Sequence, residues 1–149
     1  MTNQIAQDFV AGCDAIRHSL FEVPENTAAV PWRTGGWTRK QVLGHMIDSA
    51  ANNHQRFVRA SLDGSYTGPV YAQEGWVAAH GYNETPWTTL LDWWQMYHEI
   101  LKAVVERISA EKLDAECRVG DDGPVTLRFL IEDYIAHQQH HLRQILCPS

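Results

Sequence analysis

Residues 126–146, TLRFLIEDYIAHQQHHLRQIL, are strongly helical and carry two histidines, His137 and His141, four residues apart. Side chains at positions i and i+4 lie on the same face of an α-helix, with Cβ atoms about 5 to 6 Å apart. Two imidazole nitrogens can therefore converge on one divalent ion at about 2.0 to 2.1 Å from each. Both histidines fall on the stripe that is predicted to face the protein interior. The apolar and aromatic members of that stripe are Leu127, Leu130, Tyr134 and Ile145.

Three earlier segments also place apolar residues at three- and four-residue steps. They run from about residue 3 to 21, with Thr2 as the expected N-cap, from 38 to 61, and from 86 to 108. Thr38 and Gln41 form a capping box at the start of the second segment. Residues 63–86 form a long connection rich in Gly, Tyr and Trp, with room for a short helix at residues 74–79, and such loops are often functional. With little strand signal, the sequence predicts an all-α fold: one domain over residues 1–149, built as an antiparallel four-helix bundle.

Composition argues against nucleic-acid and membrane partners. The 149 residues are 44% hydrophobic and 20% charged, as in ordinary globular domains, and the net charge is -6. Nucleic-acid binding draws most of its affinity from Lys and Arg, so an acidic chain is a poor candidate. No apolar run approaches the about 20 residues that span a bilayer, and the first residues lack a basic signal region, so we expect a cytoplasmic protein. The irregularly spaced Cys13, Cys117 and Cys147 predict inert thiols rather than disulfides or a thiolate metal site.

The histidine pair needs a third ligand, because catalytic zinc-type sites usually have three protein ligands and an open position. The best candidate is His45, which lies at the edge of the inward stripe of the second helix and can face the fourth helix. That stripe consists of Val42, Met46, Ser49, Asn53 and Phe57. His140 lies about 100° from the pair on the helical wheel, so it is not expected to be a ligand. His54, His80 and His98 are expected to be hydrogen-bonded or surface histidines. For His98, a less favoured alternative is contact with a metal-binding side chain.

Two segments around these histidines resemble a known protein family. Residues 36–49, GWTRKQVLGHMIDS, and residues 137–145, HQQHHLRQI, are similar to the DinB/YfiT-like superfamily of metal-dependent proteins. In that family a tryptophan-led cap opens helix two, one histidine follows on it, and an HxxxH pair lies on the last helix. The resemblance implies that His45, His137 and His141 bind a divalent metal ion, with nickel or zinc most expected. Some members are thiol S-transferases or mycothiol-dependent isomerases, and many have no assigned substrate.

Several neighbours of the predicted ligands have two open roles. Asp48 and Asp133 stand one helical turn from ligand histidines and could orient an imidazole N–H, although solvated carboxylates on a helix face are commoner. Four aromatic residues of the long connection could line the mouth of a pocket, although packing in the core is the commoner use of such side chains. They are Tyr66, Tyr71, Trp76 and Tyr82.

Three hypotheses for function follow. In the first, the protein is a metal-dependent enzyme: three neutral imidazoles leave the full charge of the ion to lower the pKa of a bound water or thiol. A low-molecular-weight thiol would then attack an electrophilic small molecule in a pocket closed by residues 63–86, although the spacing of the residues alone does not indicate thiol chemistry. In the second, the bundle binds a metal or ligand without turnover. In the third, the protein is a structural bundle in which the histidines are only packing residues. In any of the three, exposed aromatic side chains could allow the bundle to form a homodimer.

Overall fold

Residues 3–148, which the computed structural model describes, form five α-helices and three short β-strands. The helices are α1 (Gln4–Phe21), α2 (Arg39–Asp63), α3 (Gln73–His80), α4 (Trp87–Arg107) and α5 (Leu127–Leu146). The strands are β1 (Ser65–Gly68), β2 (Glu116–Val119) and β3 (Val125–Thr126). The predicted four-helix bundle is confirmed by the four long helices. The short helix α3 lies where the sequence left room for one, at residues 74–79.

The helix boundaries follow from local capping chemistry. The Thr38 hydroxyl accepts from Gln41 N, and the Gln41 side chain accepts from Thr38 N, so the predicted capping box is present at the start of α2. At its end, Gly64 adopts a positive φ of 79°, a left-handed conformation that favours glycine. The N-cap of α1 is Asn3, whose Oδ1 accepts from Ala6 N at 2.7 Å. The predicted cap Thr2 lies outside the described residues.

The packing of the long helices makes α2 and α5 neighbours. The main contacts of α2 are with α4 and α5, and those of α1 are with the same two helices, so α1 and α2 occupy opposite corners of the bundle. One apolar cluster is centred on Phe9, Phe57 and Tyr134, and a second is centred on Met46, Trp87, Trp94 and Ile145. Because α2 and α5 share a long interface, side chains from these two helices can meet at a common site.

A small sheet is present that the sequence did not predict. Strand β1 pairs in parallel with β2, and β2 pairs antiparallel with β3, in the order β1-β2-β3. The strands are two to four residues long, too short for alternating hydrophobicity to indicate them. The sheet joins the chain that follows α2 to the chain that precedes α5. The sheet is minor beside the helices, so the predicted all-α class is confirmed.

No helix among residues 3–148 combines the length and the apolar composition that crossing a membrane requires.

Candidate metal centre

Two buried polar side chains fix the register between α2 and α5. Arg39, at the start of α2, donates from Nε to Ile145 O at 2.8 Å and from Nη2 to Cys147 O at 2.5 Å. Carbonyls at the end of a helix have no intrahelical partner, so a cation is favourable there. About two helical turns before Ile145 on α5, Gln138 donates from Nε2 to Met46 O at 3.0 Å. These contacts set the two helices antiparallel.

This register brings His45 and His141 together. Their Nε2 atoms lie 3.1 Å apart, and their ring centroids lie 4.5 Å apart with the planes nearly perpendicular. His141 Nδ1 lies 2.9 Å from Gln144 Oε1, an acceptor, so the proton of the neutral ring belongs on Nδ1 and the Nε2 lone pair faces His45. The Trp37 ring covers His45 at a centroid distance of 5.3 Å. His45 itself is only 3% exposed, and its Nδ1 has no hydrogen-bond partner among the described residues.

The electrostatics favour neutral imidazoles at this site. Burial, together with the neighbouring His141 and His137, lowers the pKa of His45 to about 4. Burial also lowers the pKa of His141. Metal ligation requires the unprotonated ring. Both side chains are therefore in the ligating state at neutral pH.

The spacing of the two nitrogens fits a shared ion. Nitrogens that each lie about 2.0 to 2.1 Å from one ion are about 2.8 to 3.4 Å apart for ligand angles between about 90° and 110°. The observed separation of 3.1 Å falls in this range. Without a cation, two lone pairs would face each other, or one ring would need to donate to the other. The donor set therefore suits a divalent ion bound by imidazole nitrogens.

His137 lies apart from this pair. Its side chain is 63% exposed, and its Nδ1 lies 3.3 Å from Asp133 Oδ2. Among residues 3–148, no group of three or more His, Cys, Asp or Glu side chains is arranged to hold a metal ion. His137 nevertheless lines the same cavity as His45 and His141. The assignment of all three histidines as ligands stays a prediction.

The cavity beside the histidines has a volume of about 330 Å³ and lies between α2, α5 and the segment that precedes α3. Its lining is mainly polar and includes Ser49, Asn53, Arg56, Tyr71, Asp133 and His140 in addition to the three histidines. A second cavity of about 280 Å³ reaches His141 from the side of Trp37 and Glu74. A small molecule can thus approach His141 from either cavity.

Comparison with known proteins places the chain in a family. The sequence pattern that defines the DinB superfamily matches residues 9–145. The chain belongs to the DinB superfamily.

Similar proteins carry names that refer to metal ions. A candidate metal-dependent hydrolase of Oceanobacillus iheyensis is 28% identical over 114 residues, which cover 76% of this chain and 65% of that protein. A second, of Bacillus cereus strain AH820, is 29% identical over 127 residues, covering 85% of this chain and 73% of that protein. The chain therefore spans a little under two thirds of the length of the first of these relatives.

Two solved structures share the fold of this DinB superfamily chain. YfiT from Bacillus subtilis, described as a candidate metal-dependent hydrolase with an unusual four-helix bundle topology, has a TM-score of 0.86 at 19% identity. The match covers 98% of this chain and 86% of YfiT. A mycothiol-dependent maleylpyruvate isomerase has a TM-score of 0.80 at 13% identity, over 98% of this chain and 61% of the isomerase. At these identities the similarity establishes the fold.

Three other histidines of this DinB superfamily protein have partners away from His45 and His141. His98 is buried and contacts Tyr134 OH, and His54 Nδ1 lies 3.1 Å from Tyr97 OH. His80 Nδ1 lies 3.3 Å from Asp48 Oδ1. These three match the favoured expectation of hydrogen-bonded or surface histidines. His140 lies beside His141 with ring centroids 5.1 Å apart.

Asp48 fills neither of the two roles left open for it, because it is only 2% exposed and so is not a solvated carboxylate. Asp48 does not contact His45: its Oδ1 accepts from Tyr82 OH at 2.5 Å, and its Oδ2 is buried without a partner among the described residues. Burial raises the pKa of Asp48, and the hydrogen bond from Tyr82 opposes that rise. Asp133 does lie beside His137, as expected for a carboxylate that orients an imidazole.

Three of the four aromatic residues of the long connection line a cavity or groove, and the fourth packs in the core. Tyr71 lines the histidine cavity, and Tyr66, Tyr71 and Trp76 line an adjoining groove. Tyr82 is buried against α2, where its ring occupies the space that a Cβ on Gly44 would need.

The sequence reasoning missed Arg56 as a residue of the site. A signal was available, because Ser49 and Asn53 are polar members of a stripe interpreted as inward-facing, and Arg56 continues it by one turn.

Proposed function

We propose that this protein is a divalent-metal-dependent enzyme that acts on a small molecule, with His45, His137 and His141 as the metal ligands. The observation that carries the proposal is the 3.1 Å approach of His45 Nε2 and His141 Nε2 at the edge of a cavity. Two neutral imidazoles that converge in this way, one buried and one partly exposed, are suited to hold a cation. The names of the relatives support the same class of activity.

His137 is the proposed third ligand because of where its backbone lies. It stands one helical turn before His141 on α5, which places the two Cβ atoms about 5 to 6 Å apart. Its exposed side chain is free to exchange the contact with Asp133 for an ion held by the other two histidines. Asp133 could then accept from the remaining ring N–H, as carboxylates beside metal-bound histidines do.

When bound, a divalent ion at this site supplies Lewis-acid activation and lowers the pKa of a coordinated water or thiol. The protein supplies the rest of the environment. Burial raises the pKa of Tyr71 to about 12, so its phenol stays protonated at neutral pH and can donate to an oxygen of the substrate. The Asn53 amide donates to Ser49 O at 2.9 Å, which orients its Oδ1. Trp37 limits access of water to His45.

We propose thiol transfer or thiol-dependent isomerisation as the reaction, with a low-molecular-weight thiol as one reactant. This finer assignment is supported by the family resemblance and by the likeness of fold to an isomerase named as mycothiol-dependent. Hydrolysis, suggested by the names of the relatives, is the second candidate, since the same activated site could serve water. Nickel and zinc are the proposed ions, because imidazole ligands suit both.

The metal site can be tested with a matched pair of variants. His141→Ala should abolish zinc and nickel binding measured by calorimetry, whereas His140→Ala should leave it unchanged. The two histidines are adjacent on α5 and both line the cavity, so the control removes an imidazole without removing a proposed ligand. His137→Ala should weaken binding while His45→Ala abolishes it. Equal affinity of wild type and His141→Ala would reject the site.

Activity separates an enzyme from a binding module. The zinc- and nickel-loaded protein should transfer cysteine or glutathione to a chromogenic aryl halide faster than the chelator-treated protein, and His141→Ala should match the chelator-treated rate. An ester substrate assayed in parallel tests hydrolysis. Metal binding with no rate increase in either assay, across a panel of electrophiles and esters, would favour the non-catalytic binding module.

We also propose that the protein forms a homodimer and works in the cytoplasm. The exposed apolar side chains of Trp93, Met96 and Ile100 support the dimer, since they follow one another on one side of α4. Light scattering coupled to size exclusion tests it: Met96→Glu should convert a dimer to a monomer, and a monomeric wild type would contradict the proposal.

A further inference from the structure

One face of α2 extends from His45 to Arg56 along the wall of the cavity. His45, Ser49, Asn53 and Arg56 follow at steps of four, four and three residues, so they share one side of the helix. All four line the cavity. Arg56 lies eleven residues after His45, which corresponds to about 16 Å along the helix axis. A ligand that contacts both ends of this face is therefore an extended molecule.

Two arginines at the far end of this face have no carboxylate partner among residues 3–148. Arg56 donates to Asn53 Oδ1 at 3.5 Å and to Pro69 O at 3.4 Å, both long contacts to neutral acceptors. Arg59 donates to Gln55 Oε1 at 3.1 Å. Within residues 3–148 neither arginine takes part in an ion pair. A guanidinium carries five N–H donors, so both side chains retain donors for a ligand.

An adjoining groove brings the two arginines together with aromatic rings. This groove, of about 600 Å³, shares Arg56 and Tyr71 with the histidine cavity and is also lined by Arg59, Tyr66 and Trp76. Its wall is the chain from β1 to α3, which is anchored by the pairing of β1 with β2 and by a hydrogen bond from Gly120 N to Gly68 O at 2.9 Å. The cations therefore face a formed surface on which an organic group can pack.

We propose that the ligand of the His45 site is an extended organic anion whose carboxylate or phosphate group binds Arg56 and Arg59. The inference rests on the proposed function for the reacting end of the ligand. The guanidinium fork matches the oxygens of carboxylates and phosphates in bidentate geometry. The chain has a net charge of -6, so two arginines that line one groove and form no ion pair within residues 3–148 are a local exception. Asp133, the carboxylate of the histidine cavity, contacts His137 rather than either arginine.

The test uses the full chain after treatment with chelator, so that metal plays no part in anion binding. Inorganic phosphate and glutarate are titrated separately at constant ionic strength, and the arginine Nε–Hε resonances are followed by NMR. The Arg56 and Arg59 resonances should shift saturably. In the Arg56→Gln/Arg59→Gln variant, affinity should fall by about tenfold or more, because charge-assisted hydrogen bonds are lost. The control is Arg107→Gln, because that exposed guanidinium also donates to a neutral acceptor, Ala103 O.

The outcomes separate this inference from the proposed function. Tighter binding of phosphate than glutarate assigns a phosphate group to the ligand, and the reverse assigns a carboxylate. Unchanged affinity in the double variant, or equal losses in Arg107→Gln, would overturn the anion site. A zinc titration of the same samples reports on the metal site alone. Zinc binding without an anion response would reject only the role of the two arginines. An anion response without zinc binding would reject only the proposed metal-dependent enzyme.

Discussion

The buried pair His98 and Tyr134 predicts that the fold loses stability in mild acid. His98 is 1% exposed, and its Nδ1–H donates to Trp94 O at 2.7 Å. Its Nε2 accepts from Tyr134 OH at 2.6 Å. The neutral ring is thus fully satisfied. Burial lowers the pKa of His98 to about 4 from an ordinary value of 6.5, although the hydrogen bond to Trp94 opposes the shift.

The sign and size of the effect follow from proton linkage. As pH falls below 6.5, the unfolded chain binds a proton at His98, whereas the folded chain does so only near pH 4, so the free energy of unfolding decreases across that window. Above pH 6.5 the contribution of His98 to stability is fully present. The shift corresponds to about 3 kcal/mol in total, at about 1.4 kcal/mol for each pH unit, and about 2 kcal/mol of it is lost between pH 7 and pH 5.

Urea unfolding at pH 7 and pH 5, followed by tryptophan fluorescence in the presence of chelator, measures this loss. The comparison is with His98→Leu/Tyr134→Phe, which removes both partners and leaves no unpaired polar side chain between them. Wild type should lose about 2 kcal/mol more than the variant over these two pH units. His45, whose pKa is also lowered to about 4, titrates in both proteins and cancels in the difference. Equal losses in the two proteins would refute the reasoning.

Three further predictions concern the helices that carry the site. Gly44→Ala should destabilise the fold by about 1 to 3 kcal/mol in urea unfolding, because the new Cβ would lie 2.0 Å from the Tyr82 ring, whereas Gly75→Ala should not destabilise it. Arg39→Met should lower the free energy of unfolding by about 3 kcal/mol by the same measurement, because it removes charged hydrogen bonds to the carbonyls at the end of α5. A decrease of less than about 0.5 kcal/mol would contradict this account. Zinc at a hundred times its dissociation constant should stabilise wild type by about 2.7 kcal/mol in thermal unfolding, and His141→Ala should show no such gain.

The helical part of the fold could be predicted because its signals are local. Thr38 with Gln41, and Thr126 before Leu127, mark the helix starts through side-chain hydrogen bonds to the next turn. The sheet could not be predicted in this way. Residues 65–68 pair in parallel with residues 116–119, about fifty positions later, and four-residue strands contain too few alternations to indicate strand structure.

The same distinction between local and long-range signals applies to the site. The i, i+4 relation of His137 and His141 is a property of one helix, and the sequence contains it. The approach of His45 to His141 depends on how α2 packs against α5, and the sequence could only place His45 on a suitable edge of its helix. The position of the His137 ring is set by an exposed side chain that contacts Asp133, which no periodicity specifies. Arg56 could have been found by extending the polar stripe of α2.

The buried polar contacts between α2 and α5 give a reason why the site belongs to this fold and not to any bundle of four amphipathic helices. Apolar side chains at a helix interface tolerate a shift of one turn, since ridges pack into grooves at more than one register. Such a slip would move His141 by about 5.4 Å along α5, and two nitrogens displaced by that amount could not both lie about 2.0 to 2.1 Å from one ion. Arg39 with Cys147 O and Gln138 with Met46 O hold the register from opposite sides of His141, because either slip leaves a buried donor without its acceptor. The stability cost of burying those groups is thereby linked to the geometry that a metal ion needs.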